Sequence, residues 1–148
     1  MKPVKSHVLL ADDDEDDRLF FKEALESLNL NTTVSMVYDG NKLMEFLEDE
    51  SNLLPDIIFL DLNMPCLNGF DCLDEIRRNP RLKNLTVAIY STSRTDQDVE
   101  NAFVKGANVY IHKPADIDAL KRVMLEVLNV NWQFDTGKLN KDTFLFSI

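Results

Sequence analysis

Short apolar runs rich in β-branched residues alternate five times with stretches whose apolar residues recur every three or four positions. His7-Val8-Leu9-Leu10-Ala11 is the first such run. From about Asp16 to Leu28, Phe20, Phe21, Ala24, Leu25 and Leu28 fall on one face of a helix. Thr32 to Val37 predicts a second strand; after the Asp39-Gly40 turn, Leu43, Met44, Phe46 and Leu47 stripe a second helix. Pro55 opens a third strand, Asp56 to Asp61, in which Ile57-Ile58-Phe59-Leu60 does not alternate with polar residues. Such a run is expected where helices cover both faces of a strand. A third helix follows the loop Leu62 to Gly69 and stops near Asn79-Pro80, because proline cannot continue it. Leu85 to Tyr90 predicts the fourth strand. Thr95 with Asp98 reads as a capping pair for a fourth helix that Gly106 ends. Asn108 to His112 predicts the fifth strand, and Ile117, Leu120, Val123, Met124, Val127 and Leu128 stripe the fifth helix.

Five βα units in residues 6–130 imply one doubly wound α/β domain, a parallel sheet with helices on both faces. Residues 131–148 break the pattern and are too few for a second domain, so they form a tail. Its Trp132, Phe134, Phe144, Phe146 and Ile148 are expected to pack on the chain's own helices or on a second subunit, giving a possible homodimer.

Composition narrows the function. The 148 residues carry 16 Lys+Arg against 26 Asp+Glu, a formal net charge of −10. Bulk charge of that sign repels nucleic acid and anionic lipid, and no apolar run approaches the length of a membrane span. Cys66 and Cys72 lack the second pair that a zinc site needs and read as reduced thiols of a cytoplasmic protein.

In an open parallel sheet, ligands bind beyond the carboxyl ends of the strands. The first strand ends in Asp12-Asp13, the third in Asp61 and the fourth in Ser91-Thr92. The fifth runs into Lys113-Pro114. Three carboxylates, a hydroxyl and an ammonium from distant segments thus converge on one rim. The carboxylates repel one another unless a divalent cation joins them, and all-oxygen ligation suits Mg²⁺. A cation with Lys113 beside it favours phosphoryl chemistry, and a carboxylate can serve as the nucleophile. Asp61, at the end of the most apolar strand, is the best placed.

This constellation resembles the receiver domain of two-component response regulators over nearly all of residues 6–130, and most of all the small stand-alone receivers related to phytochrome-partner response regulators. The residues that carry the resemblance are Asp12-Asp13, Asp61-Leu62-Asn63-Met64-Pro65 with Gly69 following, Ser91, Tyr110 and Lys113-Pro114. Ser91 and Lys113 follow Asp61 by 30 and 52 residues, as in that family. The resemblance implies a five-stranded flavodoxin-like sheet ordered 2-1-3-4-5, with Asp61 accepting a phosphoryl group from a histidine kinase or a histidine phosphotransfer protein. It implies that Asp13 and Asp61 ligate Mg²⁺ through their side chains, Asn63 through its backbone carbonyl and Asp12 largely through water. Lys113 then pairs with the phosphoryl oxygens. Ser91 hydrogen-bonds one of them and lets Tyr110 swing inward, altering the surface of the fourth helix, fifth strand and fifth helix. The activity expected is self-catalysed phosphoryl transfer and dephosphorylation in a signalling protein rather than an enzyme's turnover.

Three departures stand out. Asp61 follows Asp13 by 48 residues, a few more than usual, and the surplus is assigned to the loop Glu48 to Leu54, away from the site. Thr92 stands where alanine is commoner. Glu15, Asp16 and Asp17 extend the acidic run beyond what the cation needs, as acids at a helix start that complement its dipole.

Other readings fit less well. Asp12, Asp14, Asp16 and Glu23 have EF-hand spacing, but Asp17 replaces the glycine of the sharp turn. An aspartyl-phosphate phosphatase resembling the haloacid-dehalogenase group needs a second Asp where this chain has Asn63. A flavodoxin-like cofactor binder would not place Asp12-Asp13-Asp14 where phosphate must sit.

Overall fold

The computed structural model describes residues 6–65, 67–129 and 145–146. Its elements, in chain order, are β1 Ser6–Ala11, α1 Glu15–Ser27, β2 Thr32–Val37, α2 Gly40–Glu48, β3 Ile57–Leu60 and α3 Gly69–Arg78. They continue as β4 Val87–Ser91, α4 Asp96–Val104, β5 Val109–His112, α5 Ile117–Asn129 and β6 Leu145–Phe146. Side-chain oxygens of Asp14, Asn68, Asp39 and Thr95 each accept the backbone N–H three residues on, which sets where α1, α3, α2 and α4 begin. The start of α1 at Glu15 places the later would-be EF-hand positions, Asp16 to Glu23, inside a helix.

The strands pair in parallel in the order β2-β1-β3-β4-β5-β6. The first five follow the expected 2-1-3-4-5 order. The expectation of five strands is incomplete, because the tail's Leu145 and Phe146 align beside Tyr110 and Ile111 as a sixth. Two residues carry no periodicity from which a strand can be read. The tail positions Trp132, Phe134, Phe144 and Ile148, and the loop position Cys66, lie outside the described residues.

Successive residues of a strand face opposite sides, so the sheet has two cores. Leu9, Ala11, Ile58, Leu60, Ile89 and Tyr110 pack toward α2, α3 and α4. Val8, Leu10, Ile57, Phe59, Tyr90 and Ile111 pack toward α1 and α5. Every residue of β3 and β4 is buried, which accounts for their unbroken apolar sequence.

Two local expectations need correction. β4 begins at Val87, because the Leu85 N–H turns back to the Leu82 carbonyl, and it extends to include Ser91. The Thr95–Asp98 pair is only half a capping box: the Thr95 hydroxyl accepts the Asp98 N–H, but the Asp98 carboxylate takes the Ser93 hydroxyl at 2.6 Å. The segment after α2 lies at the amino ends of the strands, where Asp56 accepts the His7 N–H at 2.7 Å and Leu53 is 83% exposed. It is at the opposite end of the sheet from the acidic rim.

Candidate functional site

Main-chain bonds carry the sheet register directly into the rim. Ala11 and Leu60 are register partners; the Asp12 N–H donates to Val37 and the Asp61 N–H to Ala11. On the other side Ser91 is level with His112, and its carbonyl accepts the Lys113 N–H at 2.8 Å. Asp12, Asp61, Ser91 and Lys113 are therefore held by strand pairing, whereas Asp13 begins the exposed turn into α1. The β3–α3 loop folds tightly over its own start. Gly69 donates to the Leu62 carbonyl, and a Cβ on Gly69 would stand 2.4 Å from the Asp61 carbonyl oxygen. Only glycine permits that approach.

One carboxylate oxygen each from Asp12, Asp13 and Asp61 lie within 4.8 Å of one another. Asp12 is fully buried and Asp61 nearly so, while Asp13 opens to solvent. Lys113 Nζ enters from β5 and contacts Asp12 at 2.8 Å and Asp17 at 2.9 Å, standing 3.5 Å from Asp61. Asp12 also accepts the Asp14 N–H at 3.0 Å, and its backbone carbonyl accepts the Arg18 guanidinium at 2.8 Å. Of the two buried carboxylates Asp61 is the less well bonded: besides distant Lys113, its side chain meets the Asn63 N–H at 3.4 Å.

Electrostatics follow from these contacts. Burial pushes the Asp61 carboxyl up to about 6, against the opposing pull of Lys113 and with help from the Asp12 charge. Burial also works against the charge on Lys113, but hydrogen bonds to Asp12 and Asp17 outweigh it and hold the ammonium above its ordinary range. At neutral pH the pocket thus holds more anions than one lysine can neutralise. An all-carboxylate donor set of this kind, with one member open to water, is able to hold a hard divalent cation.

Ser91 is buried, and its hydroxyl accepts the Ser93 N–H at 3.1 Å. Tyr110 is fully buried, and its hydroxyl donates to the Ser93 carbonyl at 2.9 Å. The ring therefore already occupies the inward position, because it completes the apolar layer of Leu60, Ile89 and Ala102 and its hydroxyl finds a carbonyl there. Asn63 and Thr92 are exposed at the mouth. His7 and His112 lie apart from the acids, against the Ser35 hydroxyl and the Thr92 carbonyl. The Cys72 thiol is buried and pushed up to about 12 by that burial, so it is no thiolate.

Sequence reasoning brought Asp12, Asp13, Asp61, Ser91 and Lys113 to this rim correctly as a place. It missed two residues. Asp17 has the sequence of a solvated helix start yet binds Lys113 at 2.9 Å. Ser93 links Ser91, Tyr110 and, through its own hydroxyl, Asp98 of α4. No sequence signal separates either from its neighbours.

Comparison with known proteins agrees with this geometry. The family model for the response regulator receiver domain matches residues 8–125. Response regulator Rcp1 of Synechocystis sp. is 30% identical over 121 residues, covering 79% of this chain and 82% of that protein. The crystal structure of the Mn²⁺-bound form of Rcp1 superposes with a TM-score of 0.74 at 27% identity, covering 91% of this chain and 97% of the other. That of the phosphorylated cyanobacterial phytochrome response regulator RcpA gives 0.77 at 28% identity, covering 93% and 98%. Among the described residues no helix is long and apolar enough to cross a membrane.

Proposed function

Because this chain belongs to the response regulator receiver domain family, we propose that it accepts a phosphoryl group on Asp61 from a histidine kinase or a histidine phosphotransfer protein. The observation that carries this reading is the under-bonded, buried Asp61 carboxylate, 3.5 Å from the one ammonium of the pocket. A carboxylate so placed is desolvated, ionised at neutral pH and open to an incoming phosphorus. One Asp61 oxygen attacks in line, the P–N bond of the donor phosphohistidine breaks, and the freed imidazole takes its proton from solvent.

Asp13 and Asp61, with the Asn63 carbonyl and with Asp12 through water, would hold Mg²⁺. When bound, the cation supplies neutralisation of the charge spread over the transferring phosphoryl oxygens. The manganese-bound relative supports a divalent ion here. Lys113 neutralises the same oxygens from the β5 side. Residues 6–130 act as the signalling unit and 131–148 as its tail.

The Ser91 hydroxyl, drawn toward the phosphoryl group, gives up the Ser93 N–H. Ser93 also holds the Tyr110 hydroxyl and Asp98, so the β4–α4 loop, Tyr110 and α4 respond as one element. Tyr110 takes part as a ring already seated, whose hydroxyl follows the loop. The altered α4–β5–α5 face is read by a downstream protein or by a second copy of the chain. Dephosphorylation proceeds in the same pocket by attack of water, without turnover of any other substrate.

Acetyl phosphate with Mg²⁺ tests the reading. Intact mass should rise by one phosphoryl group in the wild type and not in Asp61→Asn. Equal labelling of both would overturn it.

A further inference from the structure

The acidic run continues past the cation site, and one of its members returns to the pocket. Asp17, in the first turn of α1, places its carboxylate 2.9 Å from Lys113 Nζ, as close as the buried Asp12 and closer than Asp61. The lysine is thereby drawn toward α1. An ammonium has three protons, and two of its contacts are already made to Asp12 and Asp17.

We propose that Asp17 is a positioning residue that competes with the phosphoryl group for Lys113 and so biases the chain toward its unphosphorylated state. The inference rests on Asp61 being the acceptor. A phosphoryl group on Asp61 brings about two negative charges to the far side of Lys113. To meet them the lysine must release a partner. Asp12 is fully buried and does not open to bulk solvent, whereas the Asp17 side chain is 40% exposed and is resolvated at little cost. Asp17 is therefore the partner exchanged. The loss of a half-exposed ion pair is then charged against every phosphorylation event. Asp16 carries the same charge one residue earlier and is exposed, and its side chain has no described bond to Lys113, so it serves as the control for charge alone.

The test uses the full chain with Mg²⁺ and beryllofluoride as the phosphoryl stand-in, titrated to equilibrium. Asp17→Asn should bind about threefold more tightly than the wild type, Asp16→Asn close to the wild type, and Asp17→Glu should return toward it. Without beryllofluoride, the ¹⁵N resonance of Lys113 Nζ should shift in Asp17→Asn and stay in place in Asp16→Asn, which a mere helix-start role for Asp17 would not produce. Wild-type binding with no gain in Asp17→Asn beyond Asp16→Asn, or an unmoved Lys113 resonance, overturns the role of Asp17 alone. If the wild type binds no better than Asp61→Asn, the acceptor assignment falls and takes this inference with it.

Discussion

Two half-buried cations sit at opposite ends of this sheet, and they are satisfied in opposite ways. Arg77, in the last turn of α3, donates to the carbonyls of Gly106 at 2.9 Å, Lys83 at 2.9 Å and Leu85 at 2.7 Å, and to the Asn108 side chain at 3.0 Å. All four acceptors are neutral. They tie α3 to the segments leading into β4 and β5, and the same Asn108 Oδ1 also accepts the Val87 N–H. Lys113 faces three carboxylates instead, and the fit is poor, since one contact is long and the charges do not cancel. Burial lowers the Arg77 pKa, whereas anions hold that of Lys113 up. The planar guanidinium fork closes a geometry; the ammonium joins an unbalanced one. A closed network gives rigidity, and an unbalanced one leaves a place for a ligand.

The largest effect should come from breaking the closed network. Arg77→Met keeps the aliphatic packing but removes four hydrogen bonds, two of them to part-buried acceptors, and should cost about 3 kcal/mol, on the order of 10 °C in melting temperature. Labelling of Asp61 by acetyl phosphate should survive at temperatures where the variant is folded. The unbalanced site should respond to metal: Mg²⁺ at a hundredfold excess over its Kd should add about 2 to 3 kcal/mol to the wild type. That gain should vanish in Asp13→Ala and persist in Arg77→Met; a gain of equal size in Asp13→Ala would show the ion binding elsewhere.

Acidity gives a smaller effect with a definite sign. The Asp61 carboxyl titrates near 6 when folded against 3.8 unfolded, so the folded chain binds the proton more readily between those values. The stability this contributes is full below the unfolded value and is lost as pH rises through about 6. In EDTA, lowering pH from about 7 to about 5.5 should therefore gain about 1 kcal/mol in the wild type relative to Asp61→Asn. Parallel denaturation profiles for the two proteins would refute the burial argument. The smallest effect is expected from the tail. Deleting residues 131–148 removes the two-residue β6 pairing and leaves both cation sites intact, and should cost about 1 kcal/mol or less. An unchanged melting curve and elution volume would retire any role for the tail in packing or assembly.

Much of this was legible in the chain because strand ends and site residues coincide. Periodicity located Ala11, Leu60 and the β4 and β5 runs to within two residues, and the residues after each strand then had to meet at one rim. What stayed hidden depends on reach. Asp17 differs from Asp16 only in the face of α1 it occupies, and its partner lies 96 residues away. Arg77 reads as an ordinary basic residue near a helix end until three backbone carbonyls from two segments are seen to converge on it. The buried Tyr110 ring follows from the depth of the α4 packing, which no spacing encodes.

The exposed segment after α2 has a practical consequence. Leu53 projects into solvent beside the amino ends of β1 and β3, across the sheet from Asp61. That loop can carry an inserted epitope or fluorophore whose presence the acidic rim would not sense, giving a handle for following the molecule in a cell while its phosphorylation proceeds undisturbed.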